Sequence, residues 1–263
     1  MFYGIPAGRE RELQQAMATI ADIYKDSFYS NDMLIALWRN LSFRNDKKFI
    51  SSFYESATNN QEKSLVWRLH TLVWAAQNAL NVEGDFVECG VFKGFCSDVI
   101  FKYLEFQNLP RAAYLYDTFE GLPEKTSTEQ ERKIWDYSKY DPEAIYKDVC
   151  EKFSKYQNVH IVRGIVPDSF QDKVPEKIAF MHIDMNSEQA EMLALEHLFD
   201  KVTPGGMIVF DDFGWTCNAN QMKSELAYMN ARNHQVLELP TGQGVVIKHA
   251  LVNHPMMNHT VQA

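Results

Sequence analysis

The fold of this chain is decided by the stretch Gly205-Gly206-Met207-Ile208-Val209-Phe210-Asp211-Asp212. A Gly-Gly turn that leads into a β-branched and aromatic run is typical of a buried strand in a parallel sheet. Open α/β sheets bind their ligands at the carboxyl ends of such strands, which is where Asp211 and Asp212 lie. Two adjacent carboxylates repel each other unless they share a proton or a cation neutralises them. An aspartate after a strand can also cap the next helix, so the pair alone leaves a metal site and a helix cap both open.

Length and charge narrow the class of protein. The 263 residues suffice for one large α/β domain, or for one domain with a helical extension. The net charge of −9 disfavours a nucleic-acid partner, because binding a phosphate backbone needs a basic face. The four cysteines show neither C-x-x-C nor zinc-ligand spacing.

The termini and the apolar runs bear on location. The first ten residues lack the basic start and apolar stretch of a signal peptide. No apolar run approaches the roughly 20 residues that a membrane helix needs. We therefore expect a cytoplasmic protein that has no membrane partner.

Two regions with different periodicity divide the chain. Residues 9–82 have apolar positions at helical spacing and no convincing strand, and they predict helices over 9–29 and 65–80. From Gly84 onward, short apolar strands alternate with helical segments. The predicted strands are 85–89, 112–117, 158–163, 178–184, 206–211, 235–239 and 243–248.

This alternation predicts an α/β fold with a doubly wound, mostly parallel, seven-stranded sheet. Its last two strands form an antiparallel edge hairpin that turns at Thr241-Gly242. Residues 120–143 show no periodicity, so we predict a mobile loop or lid over the sheet edge. The expected organisation is an N-terminal helical extension or lid over 1–82, a ligand-binding domain over 83–250 and a C-terminal tail over 251–263.

The first strand-to-helix turn has the spacing E-x-G-x-x-x-G, formed by Glu88, Gly90 and Gly94. Gly90 permits a tight turn, and Gly94 permits close approach of a ligand to a helix that begins near Phe95. The spacing differs from the G-x-G-x-x-G that binds a pyrophosphate. Glu88 would repel a phosphate and suits an ammonium or sulfonium group. The two glycines also suit a compact turn without a ligand, so both interpretations stay open.

Asp117 ends the second predicted strand, about 20 to 30 residues past the glycine turn. An acidic residue at this place commonly accepts hydrogen bonds from ribose hydroxyls, and it can also cap a turn or helix. Together with Glu88 and the glycines, Asp117 indicates a nucleoside-binding site that lacks a phosphate-binding loop. S-adenosylmethionine is the cofactor that fits this description.

Asp184 ends the fourth predicted strand, which adjoins the strand of Asp211 and Asp212 in a doubly wound sheet. The three aspartates predict a cluster of hard oxygen ligands, which favours Mg²⁺ (or Mn²⁺ or Ca²⁺) over zinc. His182 shares a face with Asp184, and we interpret it as a buried, hydrogen-bonded histidine rather than a ligand.

Three blocks of the sequence carry a family resemblance. They are DFVECGV at 85–91, YDTFEGLP at 116–123 and GGMIVFDDFG at 205–214. The chain from about Gly84 to Lys248 resembles macrocin O-methyltransferases of the TylF type, which are class I S-adenosylmethionine-dependent methyltransferases. The resemblance implies a Rossmann-like fold and metal-dependent methylation of a hydroxyl on a small molecule, with a natural-product sugar as the expected acceptor.

The resemblance also implies roles for individual residues. Asp184, Asp211 and Asp212 match the aspartates that hold magnesium in that family. The glutamate-glycine turn of Glu88, Gly90 and Gly94 and the block Asp117-Thr118-Phe119 match its cofactor site. The acceptor's identity and the oligomeric state stay open, a homo-oligomer included.

One position departs from the family pattern. The family's L-D-x-D motif places a general base at its second aspartate, but this chain has Asn186 there. A neutral amide cannot take up the acceptor's proton. Glu188 or His182 could replace the base, a metal could acidify the hydroxyl, or the acceptor could be something other than a sugar.

Two rival functions remain at this point. A nucleotide-dependent oxidoreductase is disfavoured by Glu88 and by the missing phosphate-binding loop. A binding protein that has lost its activity is supported only by Asn186.

Overall fold

The computed structural model describes residues 5–171 and 173–250. Its helices are α1 (Glu10–Tyr24), α2 (Lys47–Ser56), α3 (Val66–Ala79), α4 (Phe95–Leu104), α5 (Glu129–Ile134), α6 (Pro142–Phe153), α7 (Glu188–Leu198) and α8 (Ala219–Ala231). Its strands are β1 (Phe28–Asn31), β2 (Leu34–Leu37), β3 (Asp85–Cys89), β4 (Ala113–Asp117), β5 (Val159–Arg163), β6 (Ile178–Ile183), β7 (Val202–Phe210), β8 (Leu237–Glu238) and β9 (Gly244–Ile247). Within the described ranges, the helices are all too short or too polar to cross a membrane.

Strands β3 to β9 form one sheet in the order β5-β4-β3-β6-β7-β9-β8. Strands β3 to β7 run parallel to one another, whereas β9 runs antiparallel to β7 and to β8. The predicted doubly wound sheet with an antiparallel edge hairpin is therefore confirmed. The chain winds outward from β3 to β5 and then returns to β6, so the strand order reverses between β3 and β6. The loops after these strands meet at the edge where such sheets bind ligands.

Side chains alternate between the two faces of the sheet, and helices bury both faces. Phe86, Phe180 and Val209 pack in one cluster with residues of α2, α3 and α4. The opposite face packs in a second cluster with residues of α7 and α8. Phe53 of α2 and Leu69 of α3 are fully buried in the first cluster. The region before residue 82 thus contributes directly to the core of the sheet, whereas the predicted tail over 251–263 lies outside the described residues.

The prediction of no strand before residue 82 was wrong, because β1 and β2 form an antiparallel hairpin there. Asp32 and Met33 turn the chain with φ of 48° and 60°, the left-handed pair that a tight two-residue hairpin turn requires. Each strand has only four residues, which is too short for a recognisable alternation. Helix α1 also ends earlier than predicted, at Tyr24, because Lys25 adopts a left-handed conformation with φ of 45°.

Residues 120–143, which we predicted to be a mobile loop or lid, contain the helix α5. Thr128 caps this helix by accepting a hydrogen bond from the Glu131 backbone N–H, and the Glu131 carboxylate accepts one from the Thr128 backbone N–H. The helix has six residues and none of them is buried. Without a buried face it leaves no apolar period in the sequence, which is why the pattern did not indicate it.

Two buried glutamates join α7 to α8 behind the ligand-binding edge. Glu191 is 1% exposed and Glu225 is fully buried. Glu191 Oε1 accepts the backbone N–H groups of Met185 and Asn186 at 3.0 and 3.2 Å, and its Oε2 accepts the Gln221 side-chain N–H at 2.9 Å. Burial raises the pKa of Glu225 to about 7 and that of Glu191 well above its usual value. The two carboxyls therefore share a proton near neutral pH.

We predict that this pair makes the protein less stable as the pH rises. Glu225 ionises near pH 4.3 when unfolded and only near pH 7 when folded, so the free energy of unfolding falls between about these values. Glu225→Gln keeps a neutral partner for Glu191 and should gain about 1–3 kcal/mol over the wild type at pH 8, with no gain at pH 4.

Urea unfolding of both proteins at pH 4, 6 and 8 measures this difference. Glu196→Gln, on the exposed side of α7, is the matched control and should follow the wild type at every pH. An unchanged pH slope in Glu225→Gln would contradict the shared proton.

Candidate functional site

A cavity of about 370 Å³ opens at the carboxyl ends of the parallel strands. Its walls come from the loops that follow β3, β4, β5 and β6. Residues that line it include Gly90, Phe92, Asp117, Thr118, Phe119, Tyr137, Tyr140, Gly164, Val166, Asp184 and Asn186. This is the edge at which the sequence predicted a nucleoside site. Five of these residues were not among the predicted ones, and they lie on the β3 turn, in the segment before α6 and in the β5 loop: Phe92, Tyr137, Tyr140, Gly164 and Val166.

The glycine turn after β3 is built around close backbone contacts. Gly90 has φ of 92°, and a Cβ there would lie 1.9 Å from the carbonyl oxygen of Asp184, so only glycine fits. Gly94 precedes α4 with φ of 71°, and a Cβ there would lie 2.6 Å from the Phe153 ring. Gly94 does not line the cavity; its packing against Phe153 accounts for the absence of a side chain.

Asp117 lies beneath this turn and fixes its shape. Its Oδ2 accepts the backbone N–H groups of Val91 and Phe92 at 2.6 and 2.7 Å, and its Oδ1 accepts that of Phe119 at 2.6 Å. Burial raises the pKa of Asp117, although these three hydrogen bonds oppose the rise. A carboxylate has about four lone-pair positions, so Asp117 can still accept a hydroxyl from the cavity.

The segment around α5 covers the cavity with aromatic rings. Tyr137 and Tyr140 lie with ring centroids 5.3 and 5.1 Å from that of Phe92. The segment is fastened to the loop after β6, because Ser187 Oγ donates to the Thr126 carbonyl and the Glu188 N–H donates to Glu131 Oε1. An apolar wall of this kind suits a planar base or a thioether.

Glu88, predicted to contact the cofactor, lies outside the cavity. It is 3% exposed, and its carboxylate pairs with His182 Nδ1 at 2.9 Å and accepts the Ser97 hydroxyl. Because side chains alternate along a strand, Glu88 faces α4 and the neighbouring His182, while the cavity is lined by the turn beyond it.

His182 is fully buried between two carboxylates. Its Nδ1 faces Glu88, and its Nε2 lies 3.5 Å from Asp211 Oδ1. Burial alone would lower the pKa of His182, but Asp211 and Glu88 outweigh burial and raise it to about 10. A ring that already carries both protons cannot act as a general base near neutral pH. Glu188, the other substitute base, accepts the Ser224 hydroxyl on α8 and does not line the cavity.

Arg68, which the sequence analysis did not single out, joins the acidic residues. It is 6% exposed on α3, and its Nη1 donates to Asp211 Oδ2 and, at 3.1 Å, to Asp212 Oδ1. Its Nε donates to Asp32 Oδ2 at 3.2 Å. Burial opposes the charge of Arg68, but the three carboxylates outweigh burial and raise its pKa well above the usual value.

Of the three predicted metal ligands, Asp184 and Asp211 come together beside His182, whereas Asp212 joins Asp211 through Arg68, and the three carboxyls differ in their environment. Arg68 and His182 overcome the effect of burial and hold the pKa of Asp211 well below its usual range. Burial raises the pKa of Asp212 to about 6, and burial and the two neighbouring aspartates raise that of Asp184 well above its usual value. Gln243 Nε2 donates to Asp211 Oδ1 at 2.9 Å and secures the remaining side of that carboxylate.

The donor set fits a hard divalent cation. Five carboxylates surround only two cationic side chains in this network, Arg68 and His182. Oxygens of Asp184 and Asp211 lie within 4.8 Å of each other and of a His182 nitrogen. Asn186 Oδ1, in the same cavity wall, is a buried oxygen without a hydrogen-bond partner among the described residues. Excess negative charge and free hard oxygens are what Mg²⁺ and Mn²⁺ bind.

Asn186 itself is held in an unusual conformation. Its φ of 55° is left-handed, and its Nδ2 lies 3.4 Å from Asp184 Oδ1. The backbone N–H groups of Met185 and Asn186 donate to Glu191 and fix this loop, in which Asn186 and Asp184 both line the cavity.

Curated proteins that resemble this chain are O-methyltransferases by name. Mycinamicin III 3''-O-methyltransferase of Micromonospora griseorubida is 27% identical over 161 residues, which are 56% of this chain and 62% of that protein. The 8-demethyl-8-(2,3-dimethoxy-alpha-L-rhamnosyl)-tetracenomycin-C 4'-O-methyltransferase of Streptomyces olivaceus is 26% identical over 157 residues, 56% of this chain and 60% of that protein. The matched part thus spans about three fifths of these relatives.

Solved structures share the fold at low sequence identity. The O-methyltransferase NovP superposes with a TM-score of 0.62 and 15% identity, covering 91% of this chain and 99% of that one. The calicheamicin methyltransferase CalS11 superposes with a TM-score of 0.60 and 14% identity, covering 92% and 93%. The sequence model of the macrocin-O-methyltransferase (TylF) family matches residues 66–239, which is more than half of the chain. This chain therefore belongs to the macrocin-O-methyltransferase (TylF) family.

Proposed function

We propose that this protein is an O-methyltransferase that moves the methyl group of S-adenosylmethionine to a hydroxyl of a small molecule with the help of a divalent cation. One observation carries the proposal: Asp184 lies both in the wall of the cavity and in the acidic cluster. A methyl donor in the cavity and an acceptor oxygen at the cation would then meet at this residue. Two adjoining sites, one for the methyl donor and one for the acceptor, support methyl transfer because they can hold the two reactants in line.

We assign the cofactor to the cavity between the β3 turn and the β4 loop. Asp117 would accept the ribose hydroxyls, and Thr118 and Phe119 would shape the wall beside them. Gly90 would let the backbone approach the ligand, whereas Glu88 and Gly94 support the turn from behind. The tyrosines of the covering segment would exclude water from the sulfonium, which strengthens electrostatic interactions there.

We assign Asp184, Asp211 and Asp212 to the cation, with Mg²⁺ or Mn²⁺ as the expected ion. When bound, the ion would lower the pKa of an acceptor hydroxyl and fix the oxygen that attacks. The name of the Streptomyces olivaceus relative includes a rhamnosyl group on tetracenomycin-C, so we propose a glycosylated small molecule as the acceptor.

The acceptor's proton needs a base within the cavity wall. Of the candidates from the sequence, Asp184 and Asn186 line the cavity, and only Asp184 can take up a proton. We therefore propose that one Asp184 oxygen accepts the proton while the other faces the cation. Asn186 would orient Asp184 through its side-chain amide.

The neutral Asn186 also supports a second candidate, a methyltransferase with reduced activity or with an acceptor other than a sugar. Its Oδ1, which has no hydrogen-bond partner within the described part of the chain, is the observation that favours this alternative, because an amide oxygen can bind a donor but cannot take up a proton. An acceptor that ionises near neutral pH, such as a phenol with electron-withdrawing groups, would need no strong base.

A first prediction concerns the cofactor. Asp117→Asn removes the negative charge that the ribose hydroxyls contact and should weaken S-adenosylhomocysteine binding about 10- to 100-fold, as expected for a hydrogen bond to a charged group. Isothermal titration calorimetry measures the affinity. Glu196→Gln, on the exposed side of α7, is the control and should bind within about threefold of the wild type. Equal binding by Asp117→Asn and the wild type would count against the assigned site.

A second prediction concerns the cation and the acceptor. With labelled S-adenosylmethionine and a panel of glycosylated natural products and nucleotide sugars, methyl transfer should require Mg²⁺ or Mn²⁺ and stop on chelation. Asp212→Asn should lower the rate by at least about 100-fold, because it removes a proposed ligand. Transfer that persists undiminished in a chelator, or in Asp212→Asn, would rule out the metal-assisted mechanism.

A further inference from the structure

We propose that Arg68 is a positioning residue for the cation site and that, through Asp32, it makes the geometry of that site depend on the docked β1–β2 hairpin. This inference rests on the proposed cation site, and it concerns residues far apart in the sequence. It adds to that site a charged side chain that touches neither the cofactor cavity nor the reacting atoms.

The geometry of Arg68 is the first step. One nitrogen, Nη1, contacts both Asp211 Oδ2 and Asp212 Oδ1, so a single side chain fixes the relative orientation of the two carboxylates. Nη1 also lies 3.5 Å from the Asp211 carbonyl oxygen. The Arg68 guanidinium carbon lies 5.4 Å from the centre of the Trp215 ring. These hydrogen bonds depend on the planar, fixed arrangement of the guanidinium N–H groups. A lysine ammonium cannot reproduce that arrangement.

Asp32 provides the second step. It lies in the left-handed turn of the hairpin and is 8% exposed, although turn residues are usually exposed. Its carboxylate accepts the Arg68 Nε–H and so holds the guanidinium from the side opposite to Asp211. The hairpin also packs on α3 one residue before Arg68, since the Tyr29 and Trp67 rings lie edge to face at 5.3 Å.

The charges show why both anchors matter. A buried arginine is costly unless all its donors are paired, and removing one partner leaves the remaining charges uncompensated. The β7 aspartates and the hairpin aspartate therefore stabilise the same guanidinium, and each favours the docked position of the others. If the hairpin moves away, Arg68 loses its Nε partner, and Asp211 and Asp212 lose their fixed orientation.

Metal affinity in the absence of cofactor tests the proposal directly. Calorimetry with Mn²⁺ should show at least about tenfold weaker binding by Arg68→Lys, which keeps the positive charge but loses the planar set of guanidinium N–H donors. Asp32→Ala should bind several-fold more weakly, whereas Asp32→Asn, which keeps an acceptor for Nε, should stay nearer to the wild type. Circular dichroism and thermal unfolding establish that each variant is folded.

Other outcomes overturn the proposal. If Arg68 acts only through its charge, Arg68→Lys will bind Mn²⁺ like the wild type. If Arg68 competes with the cation, Arg68→Gln will bind Mn²⁺ more tightly than the wild type. If Arg68→Lys does not fold, the Asp32→Ala and Asp32→Asn pair decides, and equal affinities in that pair contradict the coupling.

A second measurement separates this inference from the proposed function. Amide hydrogen exchange in the hairpin should speed up at least several-fold in Asp211→Asn and stay unchanged in Asp200→Asn, an exposed aspartate used as control. If the wild type binds no Mn²⁺, the proposed cation site fails, but faster hairpin exchange in Asp211→Asn still supports the coupling. Unchanged exchange in Asp211→Asn contradicts the coupling whatever the metal does.

Discussion

The buried guanidinium of Arg68 is the interaction on which the ligand-binding edge depends. It contacts carboxylates from two separate parts of the fold, Asp211 and Asp212 at the end of β7 and Asp32 in the hairpin turn. Burying an unpaired arginine or an unpaired carboxylate costs several kcal/mol, so these groups are stable only together. The network nevertheless has an imbalance, with more acidic than basic groups, and burial, together with the neighbouring aspartates, raises the pKa values of Asp184 and Asp212. A divalent cation would relieve it, because it would return both carboxylates to their charged form.

The cavity and the acidic cluster meet at the loop after β6. The cavity belongs to β3, β4 and β5, the cluster belongs to β6 and β7, and Asp184 with Asn186 stands between them. Glu191 holds this loop from behind through two backbone hydrogen bonds, and the aromatic segment around α5 is fastened to it in front. A parallel sheet brings these parts together because its strand ends lie at one edge, where the strand order reverses. Methyl transfer requires such adjoining sites, because the methyl donor and the activated hydroxyl must be bound next to each other.

The sequence predicted the sheet well, because buried strands such as β6 and β7 contain apolar runs and each is followed directly by an aspartate. It could not predict elements without a period: β1 and β2 have four residues each, and α5 has no buried face. Arg68 was missed because one arginine on an apolar helix is indistinguishable in sequence from a solvated one. The sequence could have predicted which face of the sheet Glu88 lies on, because the two-residue period along β3 places it opposite to Val87 and Cys89. Its pairing with His182 could not be predicted, because it depends on the register between β3 and β6. That Asn186 is a position without a base stays a prediction, to which the structure adds a left-handed conformation and a side-chain oxygen with no hydrogen-bond partner among the described residues.

We propose that the acidic cluster is a cation site adjoining a nucleoside cavity, and that Arg68 contacts Asp211 Oδ2 and Asp212 Oδ1 beside it. Crystals grown with S-adenosylhomocysteine and Mn²⁺ test it most directly through an anomalous difference map. We expect one strong peak within bonding distance of Asp184 and the Asp211–Asp212 pair, with the nucleoside against Asp117 and Arg68 still bound to both aspartates. A cluster without a peak, with the nucleoside bound in the cavity, would contradict it.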